Sequence, residues 1–171
     1  MSILEIVKYG DPILIKKAEK IKKITEEIEE FAQRMLQTMY AAPGLGLAAP
    51  QVGRSIQLIT VDLSRGENNK NSIILANPEI INKEGEVLLE EGCLSIPDIQ
   101  EKVLRPARIV IKGIDPKGDE KIIEAEGLLA RAFCHEIDHV NGTLFIDRLS
   151  PLKKGLIRKK LKKRIQAGKI S

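Results

Sequence analysis

The chain contains two histidines, and both fall in one hexapeptide, "CHEIDH", at residues 134–139. His135 and His139 are four residues apart. On a helix of about 3.6 residues per turn they differ by about 40° and share a face, so both imidazoles can reach one ion. Glu136 lies about 80° from the middle of that face, near enough to reach a water on the ion and poorly placed to bind the ion itself. This is the H-E-x-x-H arrangement, two ligands and a general base on one helix. A hydrolytic metal also needs a third protein ligand and an open position. A fold built on this helix must therefore bring a distant segment against it.

No third histidine exists, which excludes a three-histidine site. The protease pattern H-E-x-x-H-x-x-G-x-x-H is matched at Gly142 but has Phe145 in place of its last histidine. No acid follows Asp147, which itself falls beyond the expected helix end and is a weak candidate. Cys134 sits about 120° from the centre of the metal face, points away, and reads as a small buried hydrophobe. Cys93 stands in "EEGCLSIP", where a glycine before and a proline after suit a turn or strand end. Cys93 is thus the preferred third ligand. A thiolate with two imidazoles suits iron or zinc better than magnesium or calcium. The competing reading is a buried helix with two structural histidines and no ion.

Hydrophobic periodicity predicts a helix over 25–41, with Ile28, Phe31, Ala32, Met35, Leu36 and Met39 on one face. Thr25 is its N-cap, the acids that follow suit the helix dipole, and Pro43-Gly44 ends it. Residues 56–62, 72–77 and 86–91 read as strands, and residues 67–72 as a polar loop. "ARIVIKGID" (107–115) and "EKIIEAE" (120–126) flank "PKGD" and form a hairpin candidate. In a second helix, 127–141, Leu128, Leu129, Ala132, Phe133, Ile137 and Val140 spread widely, so it is buried on several sides; Gly142 ends it. A third helix runs from 152 to about 167, with Ile157, Leu161 and Ile165 as its apolar stripe. Strand and helix do not alternate. The expected class is α+β: mainly antiparallel sheets packed around a central metal-binding helix, with an N-terminal helix and a C-terminal helix, in a single catalytic domain over 1–171.

At 43% hydrophobic and 30% charged, the chain reads as soluble and globular, with no apolar run able to span a bilayer. "MSILEIVKYG" carries Glu5 and lacks a basic segment before an apolar run, so no signal peptide is expected and the location follows as cytoplasmic. Two cysteines do not make a secreted disulfide framework. Residues 151–171 hold nine Lys/Arg and no acid, whereas residues 1–150 hold 24 acids against 19 bases. The body is mildly acidic and the tail strongly basic.

"GLGLAAPQVG" (44–53), "EGCLS" (91–95) and "HEIDH" (135–139) resemble, in order, the three motifs of the peptide deformylase family. The likeness extends over nearly the whole chain, including "LFIDRLSP" (144–151). The resemblance implies removal of the formyl group from the N-terminal methionine of newly made polypeptides, by attack of a metal-bound water on the formyl carbonyl. It implies Cys93, His135 and His139 as ligands and Glu136 as general acid/base. The Gln51 amide and the Leu94 backbone N–H would steady the developing oxyanion, and Gly44, Leu45, Gly46, Gly92 and Leu128 would bind substrate. It implies ferrous iron as the native ion, with zinc, nickel or cobalt as substitutes. Asp138 is expected to pair with Arg105. Two positions depart from the family pattern: Gln100 stands where many relatives carry an arginine, and Arg131 where relatives often have an apolar pocket residue, leaving its aliphatic stem to line the pocket.

Other readings compete. Gly44-x-Gly46-x-x-Ala49, with Asp62 downstream, mimics a dinucleotide fingerprint, but a helix precedes it and Pro50 and Gly53 spoil a helix after it. Its glycines instead suit a loop whose backbone approaches a ligand closely. A small metallopeptidase cutting internal bonds shares the metal chemistry. The basic tail could dock on the ribosome; with five aromatics in the chain and none in the tail, base stacking is not expected, and neither DNA nor membrane is a partner.

Overall fold

The computed structural model describes residues 2–67 and 71–170; of the polar loop expected at 67–72, residues 68–70 lie outside the described residues. Among the described residues three α-helices, α1 (Glu26–Ala41), α2 (Gly127–Val140) and α3 (Pro151–Gln166), accompany seven strands. The strands are β1 (Gly46–Ala48), β2 (Leu58–Val61), β3 (Ile73–Glu84), β4 (Val87–Cys93), β5 (Ile96–Arg105), β6 (Arg108–Ile114) and β7 (Glu120–Glu126). Five of them form one sheet in the order β1-β2-β3-β6-β7, and β4 with β5 forms a separate two-stranded sheet. Every strand pair is antiparallel. The α+β class and the hairpin around "PKGD" are as expected.

β2 shows how the large sheet divides the core. All four residues of its "LITV" are buried. Ile59 and Val61 pack with Leu75, Ile109 and Ile111 against Phe133, Ile137 and Val140 of α2. Leu58 packs on the other side with Ile28, Ala32, Met35 and Met39 of α1. Successive side chains point to opposite faces, so a strand covered by a helix on each side reads as an unbroken apolar run. A third cluster joins Ile96, Ile99 and Val103 of β5 to Phe145, Ile146, Ile157, Leu161 and Ile170.

α1 begins as its sequence dictates, with Thr25 Oγ1 accepting from the Ile28 N–H at 3.3 Å. α2 is buried nearly all round, though Leu128 is 52% exposed rather than part of a buried face. On α3, Ile157 and Leu161 are buried while Ile165 is 38% exposed; Ile170 completes the apolar contact instead. β3 runs seven residues past the strand expected at 72–77, because a register shift after Ala76 lets it continue along β6. β1 and β5 were not expected as strands.

Gly142 ends α2 at φ +75°. The Thr143 N–H then bonds the Asp138 carbonyl at 2.9 Å. A Cβ at this position would lie 2.8 Å from the Ile15 carbonyl oxygen. Gly142→Ala is therefore expected to destabilise the protein by on the order of 1–3 kcal/mol, measured by urea unfolding; an unchanged midpoint contradicts this account of the helix end.

Candidate metal centre

α2 presents His135 and His139 to the end of β4. The two Nε2 atoms lie 3.1 Å apart, and Cys93 Sγ lies 3.3 Å from His139 Nε2. One donor atom from each of the three residues falls within a 4.8 Å group. Cys93 sits at the tight β4–β5 turn, paired in register with Ile96. The expected strand end is thus what carries the thiol to the histidines.

The donor set fits a divalent ion. Glu91 Oε1 lies 3.0 Å from His135 Nδ1. A carboxylate there favours a proton on Nδ1, which would leave Nε2 of His135, beside His139 Nε2, free to bind an ion. Sulfur and nitrogen donors so spaced match a small tetrahedral N/S site. Asp147, the weak alternative, is engaged elsewhere, accepting from the Leu144 N–H at 2.8 Å. Cys134 is buried in the apolar core, and burial pushes its thiol up to about 11, so it stays protonated.

Glu91 was not singled out by sequence reasoning, yet it organises the site. Arg105 grips it with a fork, Nε at 2.8 Å and Nη2 at 3.0 Å. Arg131 donates to its Oε2. Burial drives the Glu91 carboxyl up, but His135 and Arg105 outweigh it and bring it down to about 2. Arg105 also donates to Asp138 Oδ2 at 2.5 Å, the pairing expected from sequence. Arg148, also not anticipated, closes Asp138 from the surface through Nη2 at 2.6 Å and Nε at 3.1 Å.

Glu136 is 4% exposed, and its Oε1 has no hydrogen-bond partner among the described residues. Burial pushes its carboxyl up to about 7, against the pull of His135. Gln51 is 1% exposed. Its Oε1 accepts from the Ala48 N–H at 3.0 Å. That bond turns Nε2 toward Ser95 Oγ at 3.2 Å and Cys93 Sγ at 3.6 Å. The cavity beside these groups has a volume of about 360 Å³. Gly44, Leu45, Gly46, Gln51, Gly92, Cys93, Leu94, Leu128, His135 and Glu136, all singled out from sequence, line it together. His139 is buried behind them. The departures Gln100 and Arg131 line it too.

The glycine loop is close-packed against protein. A Cβ on Gly44 would meet Leu94 Cδ1 at 2.9 Å, and one on Gly46 would meet Glu136 Oε2 at 2.6 Å. The glycine at 46 is what lets β1 lie against the carboxylate. Gly46→Ala is expected to fold and to shift Glu136 or β1 by several tenths of an ångström, visible in a crystal structure of the variant; an unmoved carboxylate contradicts the contact.

Comparison with known proteins agrees with this geometry. Residues 3–155 match the family model described as polypeptide deformylase. The peptide deformylase of Thermodesulfovibrio yellowstonii is 54% identical over 162 residues, covering 95% of this chain and 98% of its own length. The crystal structure of the peptide deformylase from Thermus thermophilus superposes with a TM-score of 0.90 at 38% identity, covering 97% of each chain. That from Legionella pneumophila gives 0.88 at 42% identity, covering 97% of this chain and 98% of its own. A family match that runs through both histidines and the thiol they meet, joined to that shared fold, means that the chain belongs to the polypeptide deformylase family, metallohydrolases that remove formyl groups.

Proposed function

We infer that this chain, acting as one catalytic unit, hydrolyses the formyl amide of N-formyl-methionyl polypeptides. The observation that carries the reading is the meeting of Cys93, His135 and His139 beside a buried Glu136 whose Oε1 has no partner among the described residues. We assign the thiolate and the two imidazoles as ligands of one divalent ion. When bound, such an ion supplies Lewis acidity, which acidifies water and polarises a carbonyl. A set of one sulfur and two nitrogens suits ferrous iron, zinc, nickel or cobalt; by likeness to the family, ferrous iron is the native ion proposed.

Glu136 takes a proton from the attacking water and later delivers it to the nitrogen of the leaving methionine. As negative charge grows on the formyl oxygen, the Gln51 Nε2–H and the Leu94 N–H donate to it. Orientation of Gln51 by the Ala48 N–H supports this role, since the amide needs no reorganisation to donate. β1 is an edge strand of the large sheet. The substrate backbone adds to it alongside Gly44, Leu45 and Gly46, with Gly92 across the cavity. The methionine side chain lies along the α2 face that carries Leu128.

Formate release from a formyl-methionyl tripeptide tests the reading. Glu136→Ala should cut kcat by about 100- to 10,000-fold with bound metal retained. Cleavage of internal bonds without formate would identify a metallopeptidase instead.

We further propose that α3 docks on ribosomal RNA through its phosphates. Lys159, Lys160, Lys162 and Lys163 are exposed there, while Ile157 and Leu161 anchor the helix to the body. Because truncation at residue 155 would strip that anchor, substitution is the cleaner experiment. Replacing Lys159, Lys160 and Lys163 by glutamine should weaken salt-sensitive ribosome binding by roughly tenfold; unchanged binding contradicts docking by this helix.

A further inference from the structure

β4 carries Cys93, yet it buries almost nothing apolar. Val87, Leu88, Leu89 and Glu90 are all exposed, and Glu91 is its one buried residue. A two-stranded sheet is at best marginal on its own. β5 has an anchor, since Ile96, Ile99 and Val103 join the cluster under α3. β4 adds only the half-buried Cys93 to that cluster, and its attachment to α2 is polar.

Besides the Glu91–His135 contact at the thiol end, that attachment runs through Arg131. The residue lies one turn before His135 and is 6% exposed. Its Nη2 donates to the Val87 carbonyl at 2.8 Å. Its Nη1 serves the Glu91 carboxylate, the Val103 carbonyl at 3.0 Å and, more weakly, the Leu89 carbonyl at 3.4 Å. Three of these four acceptors belong to β4, and they are spaced along the strand that ends at the thiol. The guanidinium fork reaches acceptors on two strands at once, which a lysine point charge does not reproduce.

We propose that Arg131 is a positioning residue for Cys93: it holds β4 to the histidine helix, so that the thiol and the imidazoles stay in register as one donor set. The inference rests on Cys93, His135 and His139 being the ligands. Arg131 acts on the ion only through the strand it pins, and its stem still lines the cavity.

Arg131→Met keeps the stem and removes the fork. Amide exchange across residues 87–93 should rise about 10- to 100-fold, with α2 unchanged. Affinity for cobalt, measured by chelator competition, should fall about 10- to 100-fold, and the cobalt–thiolate charge-transfer band should weaken. Unchanged exchange overturns the proposal. So does faster exchange with cobalt affinity and the thiolate band intact, because Arg131 would then serve stability alone. If the variant does not fold, exchange in the wild type decides. Residues 87–93 opening together with α2 supports the clamp, and a separate low-energy opening of β4 overturns it. Cys93→Ser separates the two readings. Wild-type cobalt affinity in that variant sinks the ligand assignment itself, whereas lost affinity there with normal binding in Arg131→Met sinks the clamp alone.

Discussion

A buried cross-brace of alternating charge joins the small sheet to the histidine helix. Glu91 on β4 meets Arg105 on β5, Arg105 meets Asp138 on α2, and Arg131 returns from α2 to Glu91. Two carboxylates and two guanidinium groups balance within these four residues, and Arg148 adds a further cation at the solvent end. Burying ions is expensive, and such a set is favourable only when each charge is paired and hydrogen-bonded. Here each is, and removing one partner from such a set typically costs about 3–5 kcal/mol. The brace thus stabilises less by net attraction than by the penalty on any arrangement that separates its members. The arrangement it protects is the one in which Cys93 stands against His135 and His139.

The same brace tunes the chemistry. Glu91 closes one end on His135, fixing which ring nitrogen is free. Arg148 closes the other end at the surface, half in solvent. Between them the histidine face of α2 is held from below, while β1 covers it from above at the distance that Gly46 allows. Glu136 is caught in that space, buried and with one oxygen unpartnered. A carboxylate kept dry, and raised by burial to about 7, is suited to take a proton and give it back. Helices and strands carry Glu91, His135, Glu136 and Gly46, which favours precise placement.

Much of this could be read from the residues. α1 and α2 announce themselves by apolar spacing, by Thr25 and by Gly142, because those signals are local. The β6–β7 hairpin follows from "PKGD" for the same reason. β5 escaped notice because its inward positions include Glu101 and Arg105 as well as Ile99 and Val103, which blurs the period-2 pattern. β1 is three residues long and starts with glycine. At the site, elimination pointed to Cys93, which lies beside both histidines, and the Asp138–Arg105 pair implied by the family resemblance is present. Glu91 was missed because the histidine it holds is 44 positions away; the one available signal was that a ligating histidine wants a carboxylate on its other nitrogen. Arg131 was read only as a pocket wall, since most of its partners are backbone carbonyls, which no sequence pattern displays.

The proposed chemistry requires sulfur and nitrogen to share one ion. X-ray absorption at the metal edge of the protein loaded with a single divalent ion per chain measures that directly. One sulfur and two imidazole nitrogens in the coordination shell, with the sulfur lost in Cys93→Ser, is the predicted result. A shell without sulfur in the unaltered protein contradicts it.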